Sequence, residues 1–361
     1  TISAGFVLSI LLALLISLPF ANSRLKEVAA EEVEFSRAGL LREIIPFGLM
    51  VTILRMFTNV IWSVDKIILG FLLPPESAME TVAIYSMAVM VALVLIVFPQ
   101  AISNIFLPVM SGLAGKKDLK EMRKVTETAQ RWSVFISIPI ALLMIAFSRD
   151  ILIVLYGISY ASGAFAFSIF TVGVLLRAVV TIPSNVLAAL RKIELEIKVA
   201  AFVSVLNIAL NFLLISHWGM EGAALASTFS LFVMLALVLH YVKGLIGYTL
   251  PPEVYKMFGA GIAAFLVILL FRPALSSAFE LIPELGGGET GVYAGKVLYL
   301  AYLGILMAIS TAIFSLFSLL MKCFRREDII LMKKVMKRAG FPESLVRFAE
   351  SLASRGVPAH K

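Results

Sequence analysis

Long apolar stretches alternate with short polar gaps along almost the whole chain. Nine of them are long enough to cross a bilayer, since a membrane-spanning helix needs about 20 mainly apolar residues. They lie at about residues 2–20, 40–73, 82–109, 132–147, 164–190, 199–216, 222–242, 257–271 and 292–321. The second stretch exceeds a straight crossing, so its helix is expected to tilt, bend or project. The pattern predicts an all-α, polytopic membrane protein with about nine transmembrane helices.

Positive charges are concentrated in every second gap. All but six of the 31 Lys and Arg residues fall in one alternating set of gaps and in the C-terminal segment; the exceptions are Arg55, Lys66, Arg149, Arg177, Arg272 and Lys296. Basic residues are retained on the cytoplasmic side during insertion. This asymmetry predicts a multi-pass protein of the cytoplasmic membrane with an outside N-terminus and a cytoplasmic C-terminus.

Composition and motifs argue against several other classes of protein. The chain is 60% hydrophobic and 15% charged, which is far too apolar for one soluble core. Its net charge of +8 is explained by cytoplasmic loops near anionic lipids and not by nucleic acid. The lone Cys323 allows no internal disulfide, and His217, His240 and His360 are too scattered for a metal site. We therefore expect no catalytic residue, metal or cofactor, and no enzymatic activity.

One face of the second stretch is polar. Spacings of three and four residues place its polar side chains within roughly 80° of arc on a helix; these are Thr52, Arg55, Asn59, Ser63 and Lys66. Shorter polar stripes occur in three other stretches. The third has Gln100, Ser103, Asn104 and Ser111, and the fifth has Arg177, Thr181, Ser184 and Asn185. The sixth has Ser204, Asn207 and Asn211. Four helices therefore require a polar environment on one side.

Two explanations of these stripes remain open. Ser, Thr and Asn commonly join membrane helices by hydrogen bonds, whereas a basic residue in mid-membrane costs about 2.5 to 3.5 kcal/mol and requires a wet cavity or a counter-charge. Lys66 and Lys296, near stretch ends, can instead extend to the membrane surface. The candidate cavity residues are Arg55, Asn59, Lys66, Arg177, Asn185, Asn207 and Asn211, with Asp65 as an ion-pair partner or a coupling group.

Several short motifs resemble a known family. They are GLLREIIP at 39–46, WSVDKIILG at 62–70, FP at 98–99 with LPVM at 107–110, LYG at 155–157 with Tyr160, and NIALN at 207–211 followed by GMEGAALA at 219–226. The chain resembles polysaccharide flippases of the multidrug/oligosaccharidyl-lipid/polysaccharide exporter superfamily over about residues 39–242. The combination of NIALN with GMEGAALA is the match most specific to this family.

The resemblance implies a domain plan. Such proteins have two lobes of six helices, usually followed by two more spans, around a cavity that opens alternately to each side. On that plan, residues 1–21 are the last helix of a truncated first lobe, 22–39 a cytoplasmic linker and 40–242 the six-helix second lobe. Residues 243–321 supply the two extra helices and 322–361 a basic amphipathic cytoplasmic tail. We therefore expect a fragment that lacks most of the first lobe.

The resemblance also implies a function, flipping of a lipid-linked oligosaccharide across the cytoplasmic membrane by alternating access. The expected partners are that anionic glycan, membrane lipids and glycan-assembly proteins. A drug/cation antiporter of the same superfamily is one alternative, but it requires cavity carboxylates, and only Asp65 is a candidate. A non-transporting scaffold for glycan assembly is another, and it would not require the deep Arg55 and Arg177.

The charge pattern makes the orientation testable. Single-cysteine variants at Pro75 and Lys117, made in a Cys323→Ala background, should react differently with an impermeant thiol reagent in intact cells. Pro75→Cys is expected to be labelled from outside and Lys117→Cys only after permeabilisation, because the basic gaps stay cytoplasmic. Labelling of Lys117→Cys in intact cells would reverse the predicted topology.

Overall fold

The computed structural model describes residues 37–280 and 289–325, together with Asp328 and Lys333. Every regular element within these residues is a helix, which confirms the all-α prediction. The helices are α1 (Arg37–Leu72), α2 (Pro75–Leu93), α3 (Val97–Gly115), α4 (Leu119–Ala146), α5 (Ser148–Tyr156), α6 (Ala164–Ala189), α7 (Ile193–Ile246), α8 (Pro252–Glu280) and α9 (Glu289–Leu320), with 3-10 turns at Val94–Ile96 and Ile158–Gly163.

The chain separates into two compact units, Thr1–Val51 and Thr52–Lys361. The features below all belong to the second unit. The predicted stretch at 2–20 and nearly all of the linker and tail lie outside the described residues. Six described stretches are long and apolar enough to cross a membrane: Pro75–Gly115, Leu119–Ala146, Ile158–Ala189, Ile193–Ile246, Pro252–Pro273 and Ala301–Leu320. The prediction of a polytopic membrane protein is thus confirmed.

A short 3-10 turn before Pro99 separates α2 from α3. Pro99 has no backbone N–H to donate to the carbonyl of Leu95, and its ring crowds that carbonyl. The turn before it, Val94–Ile96, is wound as a 3-10 helix, the tighter winding often found at such interruptions. The predicted third span, 82–109, is therefore interrupted by a 3-10 turn and is not one continuous α-helix.

Helix α7 reverses direction at Gly219 and forms a hairpin. Gly219 has φ +53° and ψ −130°, a conformation that side chains rarely allow. Three residues later, Gly222 lies against the returning backbone, where a Cβ atom would collide with the carbonyl of Leu214 and lie 2.9 Å from the nitrogen of Ile215. The two arms of the hairpin contain the predicted spans 199–216 and 222–242.

Helix α6 is the centre of the helix bundle. It packs against α2, α3, α4 and α7, while α8 and α9 pack against each other and against α4. Gly173 allows the approach to α7, since a Cβ atom there would be 3.0 Å from Cα of Thr228. The hydroxyl of Thr228 then donates a 2.9 Å hydrogen bond to the carbonyl of Ile169. Small residues at such positions are typical of membrane helices that pack closely.

Three helices end in the same way. Lys117, Arg191 and Lys322 follow α3, α6 and α9 and have φ of 56°, 55° and 54°. At each end the backbone N–H of the left-handed residue donates to a carbonyl three residues earlier, and the next N–H donates to one five residues earlier. This is the Schellman arrangement, in which glycine is the usual left-handed residue. In all three cases a basic residue takes that place.

Arg149 and Arg272, the two basic residues that fall in the gaps predicted to face outside, share a partner. Asp150, on α5, interacts electrostatically with Arg272 on α8 and with its neighbour Arg149. Burial nevertheless raises the pKa of the Asp150 carboxyl above its usual value. Arg149 and Arg272, two of the six exceptions to the charge asymmetry, therefore both interact with the same acidic side chain.

The hairpin yields a stability prediction. Gly222→Ala should lower the free energy of unfolding by about 2 kcal/mol or more, because the added methyl group meets backbone that cannot rotate away. Gly112→Ala, in α3, is the matched control, since nothing lies within 4 Å of the place that its added methyl group would take. Thermal unfolding in detergent measures both variants. Equal stability of the two would contradict the tight turn.

Candidate functional site

The polar stripe of α1 faces away from the packed interior. Thr52, Arg55, Asn59 and Ser63 are exposed, while Lys66 is half-buried. The Lys66 ammonium donates to the carbonyl of Trp62 at 3.1 Å, so part of its hydrogen-bonding capacity is met by its own helix. Arg55 is therefore the cation of the stripe that is most accessible to a ligand.

A second guanidinium, from α6, lies within electrostatic range of Arg55. Arg177 is half-buried, and its Nη1 lies 3.9 Å from the sulfur of Met234. Each arginine is affected by the other's charge and by that of Glu196. Within the described part of the chain, neither guanidinium makes an ion pair shorter than 4 Å. Two like charges without such pairs form a site suited to an anion.

Packing of α1, α6 and α7 positions these groups. The Ser204 hydroxyl of α7 donates to the carbonyl of Phe57 on α1 at 2.8 Å, two residues after Arg55. Trp62 of α1 meets Phe170 of α6 edge to face, with ring centroids 6.3 Å apart. These contacts join the helices that carry Arg55, Arg177 and Glu196. We call these three residues the charged triad.

Glu196 is a functional candidate that the sequence analysis did not identify. It lies in the first turn of α7, where an acidic side chain is favourable to the helix dipole. In the sequence it stands in a charged segment with Arg191, Lys192, Glu194 and Lys198, which is typical of a solvated helix start. Only the fold shows that it is half-buried and within range of both arginines.

Asp65 is buried and does not belong to this site. One carboxylate oxygen accepts a 2.8 Å hydrogen bond from the Tyr85 hydroxyl, and the other accepts one from the backbone N–H of Lys66. Both Asp65 and Tyr85 are fully inaccessible to solvent. The structure therefore supplies the carboxylate with a hydroxyl donor from α2, a partner that the sequence analysis did not consider.

Asn207 and Asn211 lie inside the α7 hairpin. Both are fully buried, and the Asn207 amide donates to the hydroxyls of Ser230 at 3.2 Å and Ser227 at 3.5 Å on the opposite arm. The Asn211 amide donates to the side-chain oxygen of Asn207 at 3.1 Å. This arrangement matches the alternative in which such residues join helices.

Asn185 joins two other helices. Its amide donates to the Ser103 hydroxyl at 2.6 Å, which links α6 to α3 while leaving Asn185 half-buried. Nearby on α3, Gln100 and Asn104 are exposed and bond to each other at 3.2 Å. Of the predicted cavity residues, Arg55, Asn59 and Arg177 thus combine accessibility with polar chemistry, and Asn185 is accessible in part.

Metal-ligating side chains do not converge in the described residues. No group of three or more His, Cys, Asp or Glu side chains there has the geometry to hold an ion. The side chain of Lys296, another predicted candidate for the membrane surface, lies outside the residues whose side chains are described.

Comparison with known proteins identifies relatives of this chain. The family model of the lipid II flippase MurJ matches residues 1–282. Two proteins of Haloferax volcanii match parts of the chain: "Probable low-salt glycan biosynthesis flippase Agl15", 26% identical over 165 residues (46% of this chain, 35% of the relative), and "Probable flippase AglR", 28% identical over 234 residues (63% and 48%). The chain spans less than half the length of the curated relatives that it matches.

A solved structure has the same fold. "Lipid II flippase MurJ, inward closed conformation" superposes with a TM-score of 0.52 and 16% sequence identity, covering 80% of this chain and 58% of that one. The family match, together with this fold, agrees with the superfamily that the sequence motifs indicated.

The Asp65 environment makes a specific prediction. Tyr85→Phe should lower the free energy of unfolding by about 1 to 3 kcal/mol, because it removes the hydroxyl donor and leaves a buried acceptor unsatisfied. Tyr255→Phe is the control, since Tyr255 is 63% exposed. Thermal unfolding in detergent compares the two variants. If Tyr85→Phe is as stable as the control, the buried hydrogen bond is not a structural element.

Proposed function

Because the chain belongs to the lipid II flippase MurJ family, we propose that it forms part of a transporter that moves a lipid-linked oligosaccharide between the leaflets of the cytoplasmic membrane. Two relatives carry the word flippase in their names, and one of them is named for glycan biosynthesis. The transport mode is alternating access, in which one helical repeat moves against another around a site at their interface.

The observation that carries the proposal is the pair of guanidinium groups that make no close ion pair with any residue in the described part of the chain. A lipid-linked oligosaccharide joins its lipid and its sugar through an anionic phosphate or diphosphate. Arg55 and Arg177 offer fork-shaped donors that match phosphate oxygens and remain charged at any physiological pH. Charge-assisted hydrogen bonds of this type are roughly twice as strong as neutral ones. The two arginines therefore hold the anionic part of the cargo.

Glu196 acts as the internal counter-charge of the same site. Its charge affects both Arg55 and Arg177, and it lowers the cost of keeping two like charges in a low-dielectric region. An arriving phosphate competes with this carboxylate for the guanidinium groups. Glu196 therefore limits the affinity for the anion, which assists release at the far side.

The remaining predicted residues have secondary roles in this proposal. Asn59 and Asn185 offer amides to sugar hydroxyls, and Lys66 adds positive charge at the end of the stripe. Asn207 and Asn211 maintain the shape of the hairpin that carries Glu196. Asp65, held by Tyr85, is a coupling group whose protonation or ion binding would alter the contact between α1 and α2. The C-terminal tail is cytoplasmic, and glycan-assembly proteins are the partners that would supply the cargo.

A drug/cation antiporter is the weaker alternative. Such a protein requires a carboxylate that is free to bind a cation. Asp65 is fully buried against Tyr85, and Glu196 is affected by the charges of two arginines. The charged triad has a net charge of +1, which favours anionic cargo.

The proposal is tested by charge reversal in the full-length protein. Arg55→Glu or Arg177→Glu should reduce flipping about ten- to a hundredfold, the effect of losing a charge-assisted hydrogen bond of about 1.5 to 3 kcal/mol. The Lys variants should retain part of the activity, because the charge remains and only the fork is lost. Glu196→Gln should raise the affinity for anionic cargo. The measurement is accumulation of lipid-linked oligosaccharide in the inner leaflet, normalised to folded protein.

Two controls separate cargo binding from structure. Lys256→Glu makes the same charge change at an exposed position on α8 and should leave flipping unchanged. Rescue of Arg55→Asp by Asp65→Arg would instead indicate a structural ion pair. Wild-type flipping by an abundant Arg55→Glu variant would exclude a cationic cargo site at this position.

A further inference from the structure

A buried ion pair joins α4 to the segment that follows α9. Arg131 and Asp328 are 197 positions apart, yet the guanidinium meets the carboxylate in a two-bonded geometry, with Nε to Oδ2 at 3.0 Å and Nη2 to Oδ1 at 2.9 Å. Their side chains are only 1% and 3% exposed. The same Asp328 carboxylate accepts a 2.9 Å hydrogen bond from the backbone N–H of Arg325.

A second arginine extends the contact to α8. The Arg325 guanidinium binds both oxygens of Glu253, at 2.8 and 3.0 Å, and one oxygen of Glu127 on α4 at 3.0 Å. These acidic partners raise the pKa of Arg325 above its usual value. Arg123 adds a 3.0 Å bond to the other oxygen of Glu127. We call Arg325, Asp328, Glu127, Arg131 and Glu253 the clasp.

Aromatic packing lies against the clasp. Phe135, one turn after Arg131, contacts Phe314 of α9 and Phe324, with ring centroids 5.4 and 5.1 Å apart. Cys323 and Phe324 are also buried. The start of the C-terminal segment is therefore held by apolar contacts as well as by charges.

Charges this deeply buried need an explanation beyond stability. An apolar pair of similar volume is often as stable as a buried ion pair, whereas an unpaired partner is costly. The clasp therefore favours one specific arrangement of α4, α8 and the segment after α9, and it opposes every arrangement that separates them.

We propose that the clasp is a latch that holds α8, α9 and the start of the C-terminal tail on α4, so that these elements move as one body. Helix α4, which carries part of the latch, also contacts α6, which carries part of the candidate site. The Ser133 hydroxyl on α4 lies 3.4 Å from the carbonyl of Ala178 on α6, and Ala178 is the neighbour of Arg177. A displacement of the tail is thus transmitted through α4 to α6, the helix that carries Arg177. The attachment itself does not depend on the proposed cargo.

Limited proteolysis of the full-length protein tests the latch. Trypsin cleavage after Lys322 and Arg325, followed by mass spectrometry, reports opening of this segment. Glu127→Gln combined with Glu253→Gln keeps the side-chain shapes and removes both acidic partners of Arg325. This variant should be cleaved at least about tenfold faster than the wild type, because local opening becomes more frequent.

The matched control removes the same charge elsewhere. Glu121→Gln combined with Glu194→Gln alters two acidic residues near the starts of α4 and α7 that take no part in the clasp, and its cleavage rate should equal that of the wild type. Arg131→Asp should also accelerate cleavage, and adding Asp328→Arg should slow it again. Equal cleavage of the clasp variant and the control, or failure of the swapped pair to slow cleavage, would overturn the latch.

Distance measurements provide an independent test. Nitroxide labels at Lys120→Cys on α4 and Lys256→Cys on α8 use two exposed positions. Native Cys323 stays unlabelled, because it is buried and burial raises the pKa of its thiol to about 11. The wild type should give one narrow distance distribution, and the Glu127→Gln, Glu253→Gln variant a broad one. An unchanged narrow distribution would also refute the latch.

Discussion

The close contact of α6 with the α7 hairpin determines where most other elements can lie. Between membrane helices the hydrophobic effect contributes little, so association depends on backbones approaching closely and on hydrogen bonds between them. Gly173 leaves space for Thr228, and Gly222 leaves space for the backbone at Leu214. With these contacts made, α6 presents its other sides to α2, α3 and α4.

The position of the arginines follows from this central packing. More than half of the residues of α6 are buried, and Arg177 is one of its half-buried side chains. A guanidinium inside the bundle would require a carboxylate in direct contact, as Arg131 has in Asp328. Within the described chain neither Arg55, which is exposed, nor Arg177, which is half-buried, has such a contact. The protein thus contains two classes of arginine, one that fixes structure and one that remains available to a ligand.

Short-range patterns predicted the helices and the polar face of α1 well. Hydrophobic length and the spacing of Thr52, Arg55 and Asn59 are properties of one segment, and the fold preserves them. Polar partners across helices were not predictable, because Tyr85 approaches Asp65 from 20 positions away and Asp328 approaches Arg131 from 197. Asn207 and Arg177 were both candidate cavity residues in the sequence. Their different surroundings depend on which helix faces which, and no local spacing contains that information.

The left-handed residues at the ends of α3, α6 and α9 have a consequence for how the protein is made. A lysine or arginine in this conformation costs about 1 kcal/mol or more relative to glycine, but it places a positive charge beside the exposed carbonyls of the helix end. In the orientation that the charge pattern predicts, these three residues also belong to the segments that the insertion machinery retains on the cytoplasmic side. On that prediction, the same three residues would act twice, once in membrane insertion and once as the left-handed termini of the mature helices.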